Sequence, residues 1–546
     1  MRRLLALFAS YAAVLIYHTR SFLYTTEFAG RDLVGAFSLT RVFEFGWSAD
    51  WFLGLPLFRF YPPGFFFTAD LFGALIGDAT AFKLLIYLSM LVFPLTVYYC
   101  FNQAFDREVA TISFILSFAV LFLREPFSLV YQTLQVGLVA QMAALPLLFV
   151  YIGLLWKKSR GSAYLLGVLM AFMILFHPYI AAIATIYTFF YLLFERELLR
   201  PFFASTGFML TGWWWIPILE KGWYMQLYTG PTGKLANWPW IFLPLALLDR
   251  SKEAISFLLT ALVLLLIGTF DFGLNLQFYR FFIYGQVLAV LVVAPGLARA
   301  VKMFDDNIGT RAALALIFLA FLAPSMNVDV SSEWRSDVEL QGVVPEDGRM
   351  IVETSHSDVH DSYVPIQQIP FESNATVVNG LYADQSVSSP YLLGLEKSFA
   401  ENPVPNPMAV EANLTSQQLE QRFRYFGIEY ALVRTDHARE RLSFMKKTAE
   451  NSDFKLLQMN ISESKMVEAK PVKGSYSEWK ELNRRVFRGE LDHFVYSPKS
   501  DTSVSIKNLP ESKNISQNIE VRVERESIRP ENRSQALFGL DFNRSN

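Results

Sequence analysis

The chain has 546 residues, of which 53% are hydrophobic and only 18% are charged, and 50 of them are Phe. This composition departs from the soluble average towards a membrane protein. The net charge of −2 and the isoelectric point near 6.4 favour no nucleic-acid partner, and the sequence holds no basic stripe, zinc-ligand cluster or Gly-rich phosphate loop. The single Cys100 excludes an intramolecular disulfide.

Apolar runs dominate residues 1–325 and predict about eleven transmembrane helices. The first run follows Met1-Arg2-Arg3 without a small-residue cleavage site, so we predict a retained signal-anchor helix rather than a signal peptide. Several runs fall short of the ~20 residues that an upright helix needs to cross a bilayer. The predicted spans are 4–19, 82–101, 109–123, 138–156, 162–176, 179–194, 201–219, 238–248, 254–268, 281–298 and 311–325.

The distribution of basic residues predicts the orientation of these spans. If the N-terminus is cytoplasmic, the inner loops hold thirteen Lys and Arg in 39 residues, whereas the outer loops hold nine in 108. This is the bias expected when basic loops stay inside. An odd number of spans then places the C-terminal part outside, so we predict a multi-pass protein of the cell membrane with an extracellular C-terminal domain.

The first outer loop, residues 20–81, is unusually long and apolar. Its segment Tyr24–Gly64 mixes acidic and basic residues with Trp, Phe and Leu, which is too apolar for a flexible tether. We predict one or two amphipathic helices on the membrane surface, ending at Pro62-Pro63-Gly64. Segment 64–77 is predicted as a further surface helix, because a span there would move Lys157 and its basic neighbours outside.

The composition changes after Pro324, which divides the chain into a membrane domain, 1–325, and an extracytoplasmic soluble domain, 326–546. Asn-x-Ser/Thr sequons support this topology, because all six lie in the second part and such acceptors face a glycosylating compartment. They are Asn374, Asn413, Asn460, Asn514, Asn532 and Asn543.

Local patterns predict that the soluble domain is mixed α/β. Arg349–Glu353 and Tyr430–Arg434 are predicted as strands, and Ser416–Phe426 as a helix capped by Ser416 and followed by Gly427. The tail from about Asp501 is rich in Ser, Asn, Glu and Arg, so we expect it to be β-rich or poorly ordered.

Several landmarks follow one another along the chain. They are Asp32, Phe45-Gly46-Trp47, the run from Gly54 to Gly64, Arg124-Glu125, His177-Pro178, Tyr279-Arg280-Phe281 and the run from Phe426 to Val433. Together they resemble the GT-C superfamily of integral-membrane glycosyltransferases. More narrowly, they resemble the prokaryotic membrane proteins called 6-pyruvoyl-tetrahydropterin synthase-related, whose first outer loop ends in a similar G-x-P-x-F-x-Y-P-P. Pterin chemistry itself needs clustered His residues, and the six His here are scattered.

This resemblance implies a transferase that takes sugar from a polyprenyl-phosphate donor in the membrane and passes it to a glycan or protein acceptor. It implies Asp32 as the catalytic base or a metal ligand. A carboxylate can activate an acceptor hydroxyl while an Arg neutralises the phosphate that leaves, and Arg280 fits the second role. Glu125 could hold a divalent cation such as Mg²⁺ or Mn²⁺, or position the acceptor, and His177 would lie on the same face.

Each of these residues also has a purely structural interpretation. Asp32 could be a helix cap, Glu125 the partner of Arg124 in a loop ion pair, His177 a helix-end residue and Arg280 an interfacial anchor. Trp213-Trp214-Trp215 fits an aromatic belt or a sugar platform.

Two other functions compete with glycosyl transfer. The chain could be a non-catalytic scaffold that kept the fold, or a transporter of a lipid-linked substrate. Against transport, the sequence shows no inverted repeat and few ionisable residues within the spans. The outer domain also lacks the WWDYG motif of oligosaccharyltransferases, so oligosaccharide transfer to Asn is not expected.

Overall fold

A computed structural model of the chain contains two compact units. The first comprises Met1–Phe43, Pro62–Ile216 and Leu227–Arg335, and the second comprises Glu44–Tyr61, Pro217–Gln226 and Ser336–Asn546. The structure describes residues 2–24, 31–41, 46–48, 50–52, 55–59, 61–122, 128–134, 136–157, 159–221, 244–270, 279–303, 339–355, 359–380, 389–403, 409, 413–460, 470–473, 494–496 and 504–505.

The described part of the first unit is helical. In chain order its helices are α1 (Arg2–Tyr24), α2 (Arg31–Arg41), α3 (Gly64–Ile76), α4 (Asp78–Ala104), α5 (Arg107–Leu121), α6 (Leu129–Leu134), α7 (Val139–Trp156), α8 (Arg160–Phe176), α9 (Pro178–Glu195), α10 (Leu199–Leu210), α11 (Gly212–Lys221, which ends in the second unit), α12 (Lys252–Thr269), α13 (Tyr279–Leu291) and α14 (Val293–Met303).

Five described stretches are long and apolar enough to cross a membrane. They are Asp78–Ala104, Val139–Trp156, Pro178–Glu195, Lys252–Thr269 and Arg280–Lys302. The chain is therefore a multi-pass membrane protein, while the count of eleven spans and their orientation remain predictions. Helix α3 has 13 residues, which is too short for an upright span and agrees with its predicted place outside the spans.

The predicted span 201–219 is formed by two consecutive helices rather than by one. The chain breaks into α10 and α11 at Thr211, whose hydroxyl bonds back to the Gly207 carbonyl at 2.8 Å. The predicted span 281–298 lies within Arg280–Lys302, one of the five stretches long enough to cross a membrane, and the helix is locally irregular at Val292, between α13 and α14. Most of span 238–248 and all of span 311–325 lie outside the described residues.

Several ion pairs lie together at one end of the helical unit. Lys302 lies 3.3 Å from Asp106 and 3.4 Å from Glu108, and Arg299 lies 3.4 Å from Asp249. At the same end, the buried Arg200 donates to the Leu154 and Leu155 carbonyls, at 2.8 and 3.1 Å, and so caps the end of α7. The predicted inner loops contain all these charged groups.

The second unit contains a five-stranded mixed sheet in the order β4-β3-β5-β7-β6. Strands β4, β3 and β5 are parallel, and the two remaining pairings, β5 with β7 and β7 with β6, are antiparallel. The sheet strands are β3 (Asp347–Val352), β4 (Asn374–Val377), β5 (Tyr430–Val433), β6 (Lys446–Glu450) and β7 (Lys455–Gln458), and the helices between them are α15 (Val359–Glu372), α16 (Ser389–Phe399), α17 (Ser416–Phe426) and α18 (Asp436–Arg441). Three short parallel strands follow, β8 (Lys470–Lys473), β9 (Phe494–Tyr496) and β10 (Val504–Ser505).

The mixed α/β character predicted for this part is confirmed, with one correction at a helix start. Both predicted strands and the helix 416–426 are present, but the cap of α17 is Thr415 rather than Ser416. Thr415 and Gln418 form a reciprocal capping box, which satisfies two backbone N–H groups at once. Gly427 ends the helix at φ +66°, a conformation that Gly adopts without strain.

The first outer loop is only partly helical. Its first part forms α2, as predicted, but its second part forms a β-hairpin, β1 (Gly46–Ser48) with β2 (Leu55–Leu57), rather than a second amphipathic helix. The tip of the hairpin binds the edge of β4. The Val377 N–H donates to the Asp50 carbonyl at 2.8 Å, and the Phe52 N–H donates to the Val377 carbonyl at 3.3 Å. Trp51 is 5% exposed and donates its indole N–H to the Ile366 carbonyl at 3.0 Å.

A buried polar network lies at the carboxyl ends of the parallel strands. Glu353 accepts hydrogen bonds from the Arg434 and Thr435 N–H groups at 2.7 and 3.0 Å. Glu396 accepts from the Asn379 amide at 2.8 Å and bonds to Thr354. Both carboxyls are almost inaccessible to water. Burial is the main cause that raises the pKa of Glu396 from its ordinary 4.5 to about 7.

Candidate functional site

The candidate site is built around the break between α8 and α9. Pro178 has no N–H to donate to the preceding turn and its ring crowds that turn, which favours a break at this point. Helix α8 ends at Phe176, and α9 starts with Pro178 at its first position. His177 occupies the junction in an extended conformation, with φ −163°. Its side chain is only 4% exposed, so every polar atom of the imidazole needs a partner within the protein or a ligand.

Three polar side chains form a connected network with His177. The His177 Nε2 atom lies 3.0 Å from the Gln141 amide nitrogen and 3.4 Å from an Arg280 guanidinium nitrogen. The Tyr284 hydroxyl donates to the other end of the Gln141 amide at 2.6 Å. Gln141 belongs to α7, while Arg280 and Tyr284 lie one turn apart on the same face of α13. Three separate segments therefore meet at this network.

The network fixes which imidazole nitrogen carries the proton. A guanidinium only donates hydrogen bonds, so the Nε2 atom that it faces must accept. Gln141 then turns its NH₂ group towards the same nitrogen and its carbonyl towards the Tyr284 hydroxyl. The proton of the neutral ring is left on Nδ1. Nδ1 is buried and has no hydrogen-bond partner among the described residues.

The imidazole at this position is held in its neutral form. Burial disfavours the imidazolium and is the main cause that lowers the pKa of His177 well below its ordinary 6.5, and the Arg280 charge lowers this pKa further. At neutral pH, His177 therefore contributes a hydrogen-bond donor without a charge, and Arg280 carries the positive charge of the cluster.

An aromatic side chain shares the surroundings of Arg280. The centre of the guanidinium lies 5.8 Å from the centroid of the Tyr179 ring, within the range of a cation–π contact. The Tyr179 ring also lies 5.4 Å from the imidazole of His177 and 5.0 Å from the Phe281 ring. Within this cluster, Arg280 carries the charge, and the rings of Tyr179 and Phe281 and the amide of Gln141 are uncharged.

Helix α2, which carries Asp32, lies at the same end of the helical unit as this network. Phe37 of α2 contacts Phe82 near the start of α4, and Phe82 contacts Phe65 at the start of α3. The preceding residue, Gly64, packs against α8 so closely that a Cβ atom there would lie 2.9 Å from the Leu175 carbonyl, two residues before His177. The side chain of Asp32, in the first turn of α2, lies outside what the structure describes.

The opposite end of the unit holds the charged pairs. Gln141 lies in the first turn of α7, whereas Arg200 bonds to Leu154 and Leu155 in its last turn. At 1.5 Å of rise per residue, these two points on α7 are about 20 Å apart. His177 and Arg280 are therefore brought together at one end of the bundle, as the topology predicts, and the described charged residues of the predicted inner loops lie at the other.

The geometry around His177 does not favour a metal ion. Its Nε2 lone pair already faces two N–H donors, its Nδ1 carries the proton, and Arg280 adds a positive charge beside it. In the described part of the chain, no three His, Cys, Asp or Glu side chains are placed to hold a metal. Arg124 and Glu125 lie outside the described residues, so a cation held by Asp32 and Glu125 stays a prediction.

Sequence reasoning missed three members of the cluster. Gln141 is a polar residue within an otherwise apolar run, which is a usable signal for a functional position in a membrane helix. Tyr284 follows Arg280 by four residues and so shares its helix face. Tyr179 follows the His-Pro pair and carries no signal of its own, because Tyr is common at membrane helix ends.

Comparison with known families supports the resemblance drawn from the sequence. Residues 58–275 match the model of the 6-pyruvoyl-tetrahydropterin synthase related domain, which describes a membrane protein. The match begins within the loop segment that ends in Pro62-Pro63-Gly64 and includes His177. No curated protein sequence is significantly similar to the chain.

Solved glycosyltransferases share the fold. The arabinofuranosyltransferase AftD from Mycobacteria aligns over 91% of this chain with a TM-score of 0.57 and 16% identity, although this chain spans only 43% of AftD. ArnT from Cupriavidus metallidurans, in its apo state, aligns over 83% of this chain and 98% of its own, with a TM-score of 0.53 and 13% identity. The same ArnT is known bound to undecaprenyl phosphate.

A third relative is the oligosaccharyltransferase of Archaeoglobus fulgidus, solved with a tethered acceptor peptide. It aligns over 79% of this chain and 69% of its own, with a TM-score of 0.50 and 10% identity. The predicted GT-C resemblance is therefore confirmed, and at such low identities these likenesses establish the fold alone.

Proposed function

We propose that this chain is a membrane glycosyltransferase that uses a polyprenyl-phosphate-linked sugar on the outer face of the membrane. The observation that carries the proposal is the contact between the buried His177 and the half-buried Arg280, at the end of the helical unit that also holds α2. The His177 Nε2 atom and an Arg280 guanidinium nitrogen lie 3.4 Å apart. An ionisable residue beside a membrane helix is costly to bury, so it marks a functional site by default. The GT-C fold supports glycosyl transfer as the reaction, and the undecaprenyl phosphate bound by ArnT is a ligand of the proposed donor class.

The reaction follows from the groups that we assign to this site. The Asp32 carboxylate removes the proton of an acceptor hydroxyl, and the oxygen forms a bond to the anomeric carbon of the sugar. The bond between that carbon and the phosphate oxygen breaks, and the electron pair leaves with the polyprenyl phosphate. Arg280 stabilises the charge that develops on this leaving group. Glu125 positions the acceptor or binds a cation.

Substitution of the proposed base tests this mechanism. Asp32→Asn keeps the shape of the side chain but removes the charge and the base, so transfer from a polyprenyl-phosphate sugar should fall by at least about a hundredfold. The matched control is Asp70→Asn, which removes a carboxylate from the neighbouring α3 and should leave the rate within about twofold of wild type. Both rates are measured as sugar released from a labelled donor by the purified full-length chain.

Two results would argue for the alternatives. Wild-type transfer by Asp32→Asn would remove Asp32 from the mechanism. The absence of transfer from every polyprenyl-phosphate donor, in a protein that still binds such lipids, would favour a scaffold that kept the fold and lost the reaction.

A further inference from the structure

The Nδ1–H group of His177 is the unexplained feature of the cluster. The side chain is 4% exposed, and Nδ1 has no hydrogen-bond partner in the described part of the chain. A buried donor without an acceptor costs folding free energy, so natural proteins retain one mainly where a ligand or a function needs it. The opposite nitrogen, in contrast, faces two donors, from Gln141 and Arg280.

We propose that the His177 Nδ1–H group donates a hydrogen bond to the phosphate of the polyprenyl-phosphate donor, beside the Arg280 guanidinium. This inference rests on the proposed function and deepens it, because it assigns His177 to recognition of the phosphate rather than to a metal or to the acceptor. In this arrangement the phosphate meets one neutral donor and one cation.

Three properties of the position favour an anion as the missing acceptor. His177 is the N-cap of α9, an 18-residue helix, and the dipole of a helix favours negative charge at this end. Arg280 supplies a positive charge within 3.4 Å of the ring, which would repel a cationic ligand. The capping position carries no hydrogen bond from the His177 side chain to the backbone, so the imidazole is not used to cap the helix.

Tyr284 and Gln141 act as positioning residues in this arrangement. The Tyr284 hydroxyl fixes the Gln141 carbonyl at 2.6 Å, and the Gln141 NH₂ group then fixes the acceptor nitrogen of His177 at 3.0 Å. The chain of hydrogen bonds sets the tautomer, and the tautomer puts a donor rather than an acceptor on the free side of the ring. In metal sites, groups that hydrogen-bond to one nitrogen of a ligating His fix its tautomer and ring orientation in the same way.

Two amide substitutions separate a ligand-binding role from a structural one. The amide nitrogen of Asn is bonded to Cγ, as Nδ1 is in His, so His177→Asn can present an N–H at the Nδ1 position. The amide of Gln lies one atom further out, at the Nε2 position, so His177→Gln can keep the contacts with Gln141 and Arg280 but loses the Nδ1 donor. Both replacements are uncharged, as the native imidazole is.

The binding experiment uses the purified full-length chain in lipid nanodiscs with three probes. They are a polyprenyl phosphate, the corresponding polyprenol without phosphate, and inorganic phosphate. We expect His177→Asn to bind the polyprenyl phosphate within about threefold of wild type, and His177→Gln to bind it at least about tenfold more weakly. The wild type and both variants should bind the polyprenol with the same affinity, because polyprenol has no phosphate to contact His177.

The probes also identify the source of the phosphate. Inorganic phosphate could bind with the same dependence on His177 and compete with the lipid, which would mean that the site recognises the phosphate itself. If only the binding of polyprenyl phosphate depends on His177, the prenyl chain must also be bound. Either result supports the assignment. The reverse order, with Gln tolerated and Asn not, would overturn it in favour of a structural role in the network. Equal binding by both variants and wild type would overturn it too.

The pH dependence gives a second readout that does not depend on a variant. A neutral donor and an arginine do not titrate between pH 7 and 9, so affinity for polyprenyl phosphate should be flat there. A steep loss of affinity in this range would indicate an imidazolium and contradict the assignment. The two proposals can fail separately. If phosphate binding depends on His177 but the protein transfers no sugar, only the proposed function is rejected. If both His177 variants transfer sugar at the wild-type rate, only the phosphate contact is rejected.

Discussion

At the scale of single residues, packing explains the last position of Pro62-Pro63-Gly64. A Cβ atom at Gly64 would lie 2.6 Å from the Phe176 ring and 2.9 Å from the Leu175 backbone, and a backbone atom cannot move aside alone. We therefore expect Gly64→Ala to destabilise the protein by about 1–3 kcal/mol and to reduce glycosyl transfer, because it pushes α3 away from the residues that precede His177. Thermal unfolding and the transfer rate, both in detergent, measure the two effects.

Gly161→Ala is the matched control for this substitution. Gly161 lies in the first turn of α8 with open space where its Cβ would be, so the same methyl group should be tolerated there. Equal loss in the two variants would mean that the close contact of Gly64 with α8 has no special importance.

The buried Glu396 makes the second unit sensitive to pH. Its pKa is about 7 in the folded state and near 4.5 when the chain is unfolded, so the folded state binds the proton more tightly. The corresponding stability is complete below about pH 4.5 and is lost as the pH rises through 7, with a total of about 3 kcal/mol. We expect the second unit of the full-length protein to unfold at lower denaturant concentration at pH 8 than at pH 6.

Glu396→Gln provides the control for this pH effect. The amide cannot titrate, so the difference between pH 6 and pH 8 should shrink, whatever the stability of the variant at either pH. A wild-type protein that is more stable at pH 8 would contradict the assignment of a raised pKa to this carboxyl.

The candidate site could be predicted from the sequence only where a residue carries its own chemical signal. Arg280 at the start of an apolar run is visible because ionisable residues are rare in membrane helices, and His177 is visible because it precedes a Pro that can break a helix. The tautomer of His177 could not be predicted, because it depends on the side-chain directions of Gln141 and Tyr284 on two other helices. Such contacts join positions 36 and 143 residues apart, and no local pattern encodes them.

At the scale of elements, the hairpin of the first loop is held by the second unit. Trp51 fills a buried position beside Phe371 and Gly380 and bonds to the Ile366 carbonyl. Trp51→Ala should therefore destabilise the second unit by about 3–5 kcal/mol, because it removes a large buried ring. Trp51→Phe keeps a ring but loses the N–H donor, so a loss of about 1–3 kcal/mol is expected.

Chemical unfolding of the full-length protein, followed by the fluorescence of the second unit, measures this series. A Trp51→Ala protein as stable as wild type would show that the hairpin does not depend on its contact with β4.

The helices were easier to predict than this hairpin for a physical reason. Apolar runs of 15 or more residues and a helix that ends at Gly427 have strong local signals. The hairpin instead places Phe52 and Phe58 at positive φ, 54° and 56°, in conformations that bulky residues rarely adopt. Both rings are fully buried, and their packing offsets that strain, so the local sequence gives no hint of a turn.

At the scale of the whole molecule, the single native cysteine makes the topology testable. Cys100 is buried and should not react with a membrane-impermeant thiol reagent. Lys157→Cys and Gln417→Cys place a thiol at exposed positions in a predicted inner loop and in the second unit. We expect the first to be labelled only from the cytoplasmic side and the second only from outside. Labelling of residue 157 from outside would overturn the predicted orientation.

The most direct test of the proposed donor site is a structure of the full-length protein with a polyprenyl phosphate bound in a nanodisc. Our proposals predict phosphate density within hydrogen-bond distance of His177 Nδ1 and the Arg280 guanidinium, with the Asp32 carboxylate facing the sugar side of that phosphate. A lipid phosphate bound far from His177 and Arg280, with these two side chains still in contact and no density beside Nδ1, would contradict them.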